Sequence, residues 1–234
     1  MAKKYVFEDE LLAAAQDGRQ EDIQRILDSG NAHVDCIDNN RNTSLIFAAA
    51  CGHIEICKLL IIKGCHLNLQ NDGGWTALMC AADRGHKDVC KLLISKEECD
   101  LDIKNEYGNN ALLRAVGNDH TEIVSILMSK KIKLDMQNKD GDTALMWAAG
   151  CGQYEIVSLL IKRECQLNLQ NKDGKTALIR AACYGNSQTA ICLIEAGADI
   201  AVKNKEGKTA IDILKEKYPT KVDAVQVLPH YYPS

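Results

Sequence analysis

Along residues 138–170 the apolar positions change period twice. Leu145, Ala148 and Ala149 recur at spacings of three and four, a narrow stripe of mostly small residues on one face of a short helix. After Gly152, the stretch 154–162 carries Ile156, Val157, Leu159, Leu160 and Ile161, which predicts a greasier second helix that is largely buried. Ahead of the first helix, Asp140-Gly141-Asp142 is turn chemistry, since glycine supplies positive φ and the aspartates bond nearby amides. Thr143 stands at the N-cap, where its hydroxyl accepts from an orphan amide. Residues 165–170 return as an extended tail. The unit is a turn, two antiparallel helices and a connector, with too little core to stand alone.

The unit recurs. Thr76-Ala77-Leu78, Thr143-Ala144-Leu145 and Thr176-Ala177-Leu178 repeat one phrase, and the series Leu12, Leu45, Leu78, Leu112, Leu145, Leu178, Ile211 has one period throughout. Successive differences are 33, 33, 34, 33, 33 and 33, which indicates a stacked array rather than a single globule. One extra residue near Glu97 or Glu98, in a connector, accounts for the odd step, because a surface loop absorbs an insertion that a helix does not.

The phrase Gly-x-Thr-Ala-Leu-x-x-Ala-Ala, followed by Gly-His and an Ile/Val-x-x-Leu-Leu run, resembles the ankyrin repeat over roughly residues 8 to 217. The resemblance implies an all-α solenoid of stacked helix-turn-helix units with projecting β-turn loops. Copies fall at about 8–37, 38–70, 71–104, 105–137, 138–170, 171–203 and 204–218. The first lacks the turn and its Thr and suits a terminal cap, and Pro219 stops the last before a second helix. Residues 219–234 hold all three prolines and read as a docked extension or a linker. Two copies break the pattern: Arg41 replaces the turn Gly, which calls for another geometry or for strain, and Gly117-Asn118 is expected to weaken the first helix of the fourth copy.

Composition changes this picture little. With 46% hydrophobic and 26% charged residues and a net charge of −4, the totals imply neither a nucleic-acid nor a membrane field. No apolar run approaches the roughly 20 residues that span a bilayer, and Met1 to Glu10 lacks a signal-like hydrophobic block, so an intracellular protein, cytoplasmic or nuclear, is expected. The 11 cysteines include no Cys-x-x-Cys pair. Several sit at equivalent repeat positions, such as Cys57 with Cys90 and Cys65 with Cys99 and Cys165, too far apart for disulfides in a stack, so free thiols acting as small buried hydrophobes are expected.

The chain carries no His-Glu-x-x-His, Gly-x-Ser-x-Gly or phosphate loop, so no enzyme, cofactor or metal is expected. His53, His86 and His120 share one repeat position, replaced later by Gln153 and Asn186, and the resemblance makes this a structural residue that ties turns by hydrogen bonds. Asn68 and Asn168 follow a Leu in a pattern similar to ankyrin asparagines that are hydroxylated in some animal cells. The plainer reading is that they bond the next turn.

What is left is surface. In ankyrin-like stacks the turn tips and exposed faces of the first helices line a concave groove, and the resemblance carries over to the variable slots. On the turns these include Trp75, Tyr107, Asp142 and Lys175; on the first helices Asp83, Arg84, Arg114, Trp147, Arg180 and Tyr184. Both tryptophans fall in these slots, and Trp, Tyr and Arg are the types enriched among binding hot spots. The expected function is a non-catalytic interaction module, monomeric, that takes a protein or peptide partner. The alternative is a nucleotide or oligonucleotide sensor in which Trp147 stacks a base between Arg114 and Arg180, against which stands the absence of a continuous basic track.

Overall fold

The computed structural model describes residues 2–221; Met1 and the tail from Val222 to Ser234, with Pro229 and Pro233, lie outside the described residues. Helices come in pairs: α1 (Ala2–Asp17) with α2 (Gln20–Asp28), α3 (Ser44–Cys51) with α4 (Ile54–Ile62), α5 (Ala77–Asp83) with α6 (Lys87–Ile94), and α7 (Ala111–Gly117) with α8 (Thr121–Leu127). The series continues with α9 (Ala144–Cys151) and α10 (Tyr154–Lys162), α11 (Ala177–Tyr184) and α12 (Ser187–Glu195), and α13 (Ala210–Lys217), which a 3-10 turn at Pro219–Lys221 follows. Among the described residues the only β pairing is one isolated bridge, Ile37 with Thr43. The fold is an all-α solenoid. It forms two compact units that divide between Ile132 and Lys133, inside a connector, although the sequence period runs on unbroken.

Within the first unit α1, α3, α5 and α7 pack in series, with α2, α4, α6 and α8 as a second row; in the second unit α9, α11 and α13 do the same over α10 and α12. The periodic leucines are the pegs of this core, since Leu12, Leu45, Leu78, Leu112, Leu145 and Leu178 are all buried. Paired alanines beside them, Ala48-Ala49, Ala81-Ala82, Ala148-Ala149 and Ala181-Ala182, are fully buried and let first helices approach closely.

Capping follows the phrase. The hydroxyls of Thr43, Thr76, Thr143, Thr176 and Thr209 each accept from the backbone amide three residues on, at 3.2–3.3 Å, and Asn110 does so for Leu113 at 3.0 Å. At Gly117-Asn118 the helix stops: Gly117 is the last residue of α7, one short of where α3, α9 and α11 end relative to their Leu, and the left-handed turn falls on Asp119, φ 59°, the residue equivalent to Gly85. Arg41 resolves as strain, for it takes the same left-handed conformation, φ 61°, that Gly74, Gly108, Gly141, Gly174 and Gly207 take in other copies. The crowding there is turn on turn. A Cβ on Gly74 would lie 2.8 Å from Asn105 Cα, because successive turns bond backbone to backbone, Asp72 to Asn40 at 2.9 Å and Glu106 to Gly73 at 3.0 Å.

Within each unit, polar ladders tie a repeat to the one before. Nε2 of His53, His86 and His120 lies 3.0–3.1 Å from the carbonyls of Gln16, Ala50 and Asp83, and each ring covers the turn glycine of the preceding copy. Asn186 does the same work with two bonds, to Ala149 at 3.0 Å and Gly150 at 2.8 Å. After the last copy the ring of Tyr218 takes this place over Gly185. Asn68 bonds Glu98 and Asp100, and Asn168 accepts from Asp199, so both bridge to the following connector. All 11 thiols are free, and burial pushes those of Cys36, Cys57, Cys65, Cys80, Cys90 and Cys165 up to about 12.

Candidate functional site

Relative to its periodic Leu, each repeat has three slots that the leucine pegs leave to other residue types. The slot three residues before holds Trp75, Asn109, Asp142 and Lys175; two residues after it stand Phe47, Cys80, Arg114, Trp147 and Arg180; five after it stand Asp83, Gly117, Gly150 and Cys183. The turn fixes the first slot and helical spacing the other two. An arginine in the middle slot reaches back over the preceding repeat, and what it meets depends on that repeat's other two slots.

In the first unit Arg114 meets both. Its Nε donates to Asp83 Oδ1 at 2.8 Å, its Nη2 closes on the same carboxylate oxygen, and Asn118 Nδ2 adds a third bond at 2.9 Å. Its guanidinium lies 5.1 Å from the Trp75 ring centre. Both members of the ion pair keep about a quarter of their side-chain surface, 23% and 24%, so the pair is neither dry nor freely solvated. A cation over an indole in such a setting contributes about 1 kcal/mol. Trp75 is half-buried rather than standing free on its turn, with its amide bonded to Asn71 at 2.9 Å.

In the second unit Asp142 occupies the slot of Trp75 and is buried. It accepts from Asn171 Nδ2 at 2.7 Å and from Trp147 Nε1 at 3.3 Å, and it faces Arg180 Nη1 at 3.5 Å. The five-after slot is Gly150, and a Cβ there would lie 3.3 Å from Arg180 Nε, which finds no acceptor among the described residues. Tyr184 fills the remaining space: its ring centre is 5.9 Å from the Arg180 guanidinium, yet 59% of the residue stays exposed.

The structure thus brings Trp75, Asp83 and Arg114 together in one cluster and Asp142, Trp147, Arg180 and Tyr184 in another. Three candidates stand apart from these side chains. Arg84 is exposed at the end of α5, Lys175 leans on Asp173 at 3.3 Å, and Tyr107 is 58% exposed, its hydroxyl pKa raised chiefly by the hydrogen bond to Glu106. Arg114 is engaged by Asp83 and Trp75, and Trp147 by Asp142. Asn118, Asn171 and Gly150 were not singled out from the sequence; each lies at a slot next to one that was, and only its neighbour's side chain gives it meaning. Among the described residues no group of His, Cys, Asp and Glu has the arrangement of a metal site.

A family model for ankyrin repeats matches five overlapping stretches, 11–105, 62–138, 85–171, 114–204 and 159–228. The chain belongs to the ankyrin-repeat family. Among curated relatives, ankyrin repeat domain-containing protein 29 of Homo sapiens is 39% identical over 57 residues, 24% of this chain and 19% of that protein, and the Danio rerio protein of the same name is 39% identical over 59 residues, 25% and 20%. The matched part thus spans about a fifth of each of these ankyrin-repeat relatives. Of solved structures, the ankyrin repeat domain of Bcl-3, described as a unique member of the IkappaB protein family, superposes with a TM-score of 0.83 at 24% identity, over 92% of this chain and 97% of that one. At that identity the likeness speaks for the fold. An ankyrin-repeat domain is a generic protein-interaction module, and no helix among the described residues is long and apolar enough to cross a membrane.

Proposed function

We propose that this chain is a non-catalytic adaptor whose two clusters, one centred on Arg114 and one on Arg180, are recognition patches for a protein or peptide partner. The observation that carries this reading is the placement of the aromatic and arginine residues. Trp75, Trp147, Tyr184, Arg114 and Arg180 lie in slots the leucine core does not need, and Arg114 and Trp147 are held there by hydrogen bonds to Asp83 and Asp142. Preorganised side chains lose less conformational entropy when a partner docks. Asp83 and Asp142 act through their neighbours, as buried or part-buried carboxylates that set the two guanidinium groups. Arg84, Tyr107 and Lys175, on exposed or half-exposed positions, extend the patches toward solvent.

Affinity capture from a cell extract tests the reading. The wild type is compared with a Trp75→Ala, Arg114→Ala variant and an Arg180→Ala, Tyr184→Ala variant, with circular dichroism to show that the helices persist. Proteins retained by the wild type and lost with a folded variant support the patch concerned. An unchanged set with both variants would move recognition off these residues.

A further inference from the structure

Arg114 and Arg180 are the same residue at the same slot of two repeats, and the first shows what the second lacks. The Nε and Nη2 edge of Arg114 is satisfied from within the chain by Asp83. The corresponding edge of Arg180 faces Gly150, with the site of an added Cβ 3.3 Å from Nε and 3.6 Å from Nη2, and Nε meets no acceptor among the described residues. Asn118, which completes the Asp83 cluster, has Tyr184 as its counterpart, and that ring lies 3.6 Å from the same Cβ position. The second unit therefore repeats the first with a gap in its set of partners: the carboxylate is absent, and the Tyr184 ring covers the place where it would stand, leaving Nε buried and unsatisfied among the described residues.

We propose that the gap receives a carboxylate from the bound partner, an Asp or Glu side chain that takes against Arg180 the position Asp83 takes against Arg114. A guanidinium is a fork of five donors matched to a carboxylate, and its Nε and Nη2 edge can donate twice to one, as Arg114 does to Asp83 Oδ1. Asp142 does not fill this role. It approaches the other side of the group, at Nη1, from 3.5 Å, and already accepts from Asn171 and Trp147. Tyr184 gives way by a side-chain rotation and then packs on the incoming residue with a ring that is mostly solvent-facing now. The inference deepens the proposed interaction function by naming the chemistry one patch selects: an acidic side chain on the partner.

The experiment needs no knowledge of the natural partner. The full chain, labelled so that arginine Nε–H signals are seen by NMR, is titrated with a capped peptide of alternating alanine and glutamate and, separately, with its glutamine counterpart. The Arg180 signal is expected to move with the glutamate peptide, with a Kd on the order of millimolar for a single bidentate contact, while the Arg114 signal stays. Gly150→Asp supplies the carboxylate in the chain. It is expected to shift the Arg180 signal without peptide, toward that of Arg114, and to abolish the titration. Arg180→Lys keeps the charge but lacks the Nε edge, and should weaken binding about tenfold, read from shifts of the Trp147 indole signal. Equal response to both peptides, movement of Arg114 alone, or an undiminished titration in Gly150→Asp would overturn the inference. Partner capture lost with Arg180→Ala, Tyr184→Ala but retained in Gly150→Asp would leave the interaction function standing and remove this account of it.

Discussion

The cluster around Arg114 and the cluster around Arg180 occupy equivalent places in their units and are built from the same slots with their contents exchanged. In the first, the slot before the leucine holds an aromatic, Trp75, and the slot after the helix holds the carboxylate, Asp83. In the second the carboxylate, Asp142, stands before the leucine and the slot after is a bare glycine, with the aromatic moved to Tyr184. The consequence is a difference in closure. The Arg114 guanidinium is held by two partners, Asp83 and Trp75, whereas Arg180 keeps an edge unused and Asp142 carries more of the local hydrogen bonding than its arginine does. A repeat scaffold can thus leave one guanidinium edge satisfied and the other without an acceptor, with the same leucine core beneath both.

The largest effect expected from this contrast is on Asp142. Its replacement by Ala strips acceptors from Asn171, Trp147 and Arg180 together, and is expected to cost about 2–3 kcal/mol in a urea unfolding experiment, since buried donors left without partners bear the full desolvation penalty. Asp83→Ala is expected to cost about 1–2 kcal/mol, because Arg114 and Asn118 are nearer to solvent and recover water. If the two changes cost the same, the distinction between a load on Asp142 and a load on Arg114 fails.

Next in size is an alkaline difference between the units. Burial raises the thiols of Cys36, Cys57, Cys65, Cys80 and Cys90 to about 12 and that of Cys99 to about 11, from an ordinary value of 9.0, while the second unit has only Cys165 at about 12 and a raised Cys192. These folded values lie above the unfolded one, so the protonated thiols favour the folded state. That stability is full below about pH 9 and is lost as pH rises through 12. The first unit is therefore expected to open first at high pH, with Trp75 fluorescence changing before that of Trp147 when each is observed in a variant in which Phe replaces the other. Simultaneous change would show that the units unfold as one.

The smallest effect is expected to be a gain. Arg41→Gly relieves a left-handed non-glycine residue, offset in part by the entropy glycine returns to the unfolded chain, for a net stabilisation of about 0.5 kcal/mol. Every equivalent turn of the second unit already has glycine, so no such gain is available there. Thermal unfolding checks it: a lower midpoint for Arg41→Gly would mean that the arginine side chain holds its turn.

Much of this architecture was legible in the chain itself. The 33-residue step of the leucines marked the repeats, the threonine caps and glycine turns could be read from residue type and position, and the tying role of His53, His86 and His120 followed from the resemblance to ankyrin repeats. Other features needed the structure. The weak point read at Gly117-Asn118 falls where α7 ends, on an exposed glycine, and the left-handed turn lies two residues on, at Asp119. Trp75 could be placed on its turn from the sequence, but the arginine whose guanidinium lies over its ring, Arg114, comes 39 positions later.

That interval marks the division between sequence and tertiary structure. Period, capping and backbone turn chemistry act within a few residues, where propensity and hydrogen-bond geometry are set by the residue and its immediate neighbours, and so the chain alone determined helices, repeats and core. The contacts that give the two clusters their character join side chains about one repeat apart. Whether Arg180 finds a carboxylate at 3.5 Å on one side and only Gly150 on the other depends on side-chain direction and on how closely α9 and α11 pack. The sequence placed the charges in the right slots. Only packing decided which of them meet, because a repeat array fixes distances between neighbours that no single repeat contains.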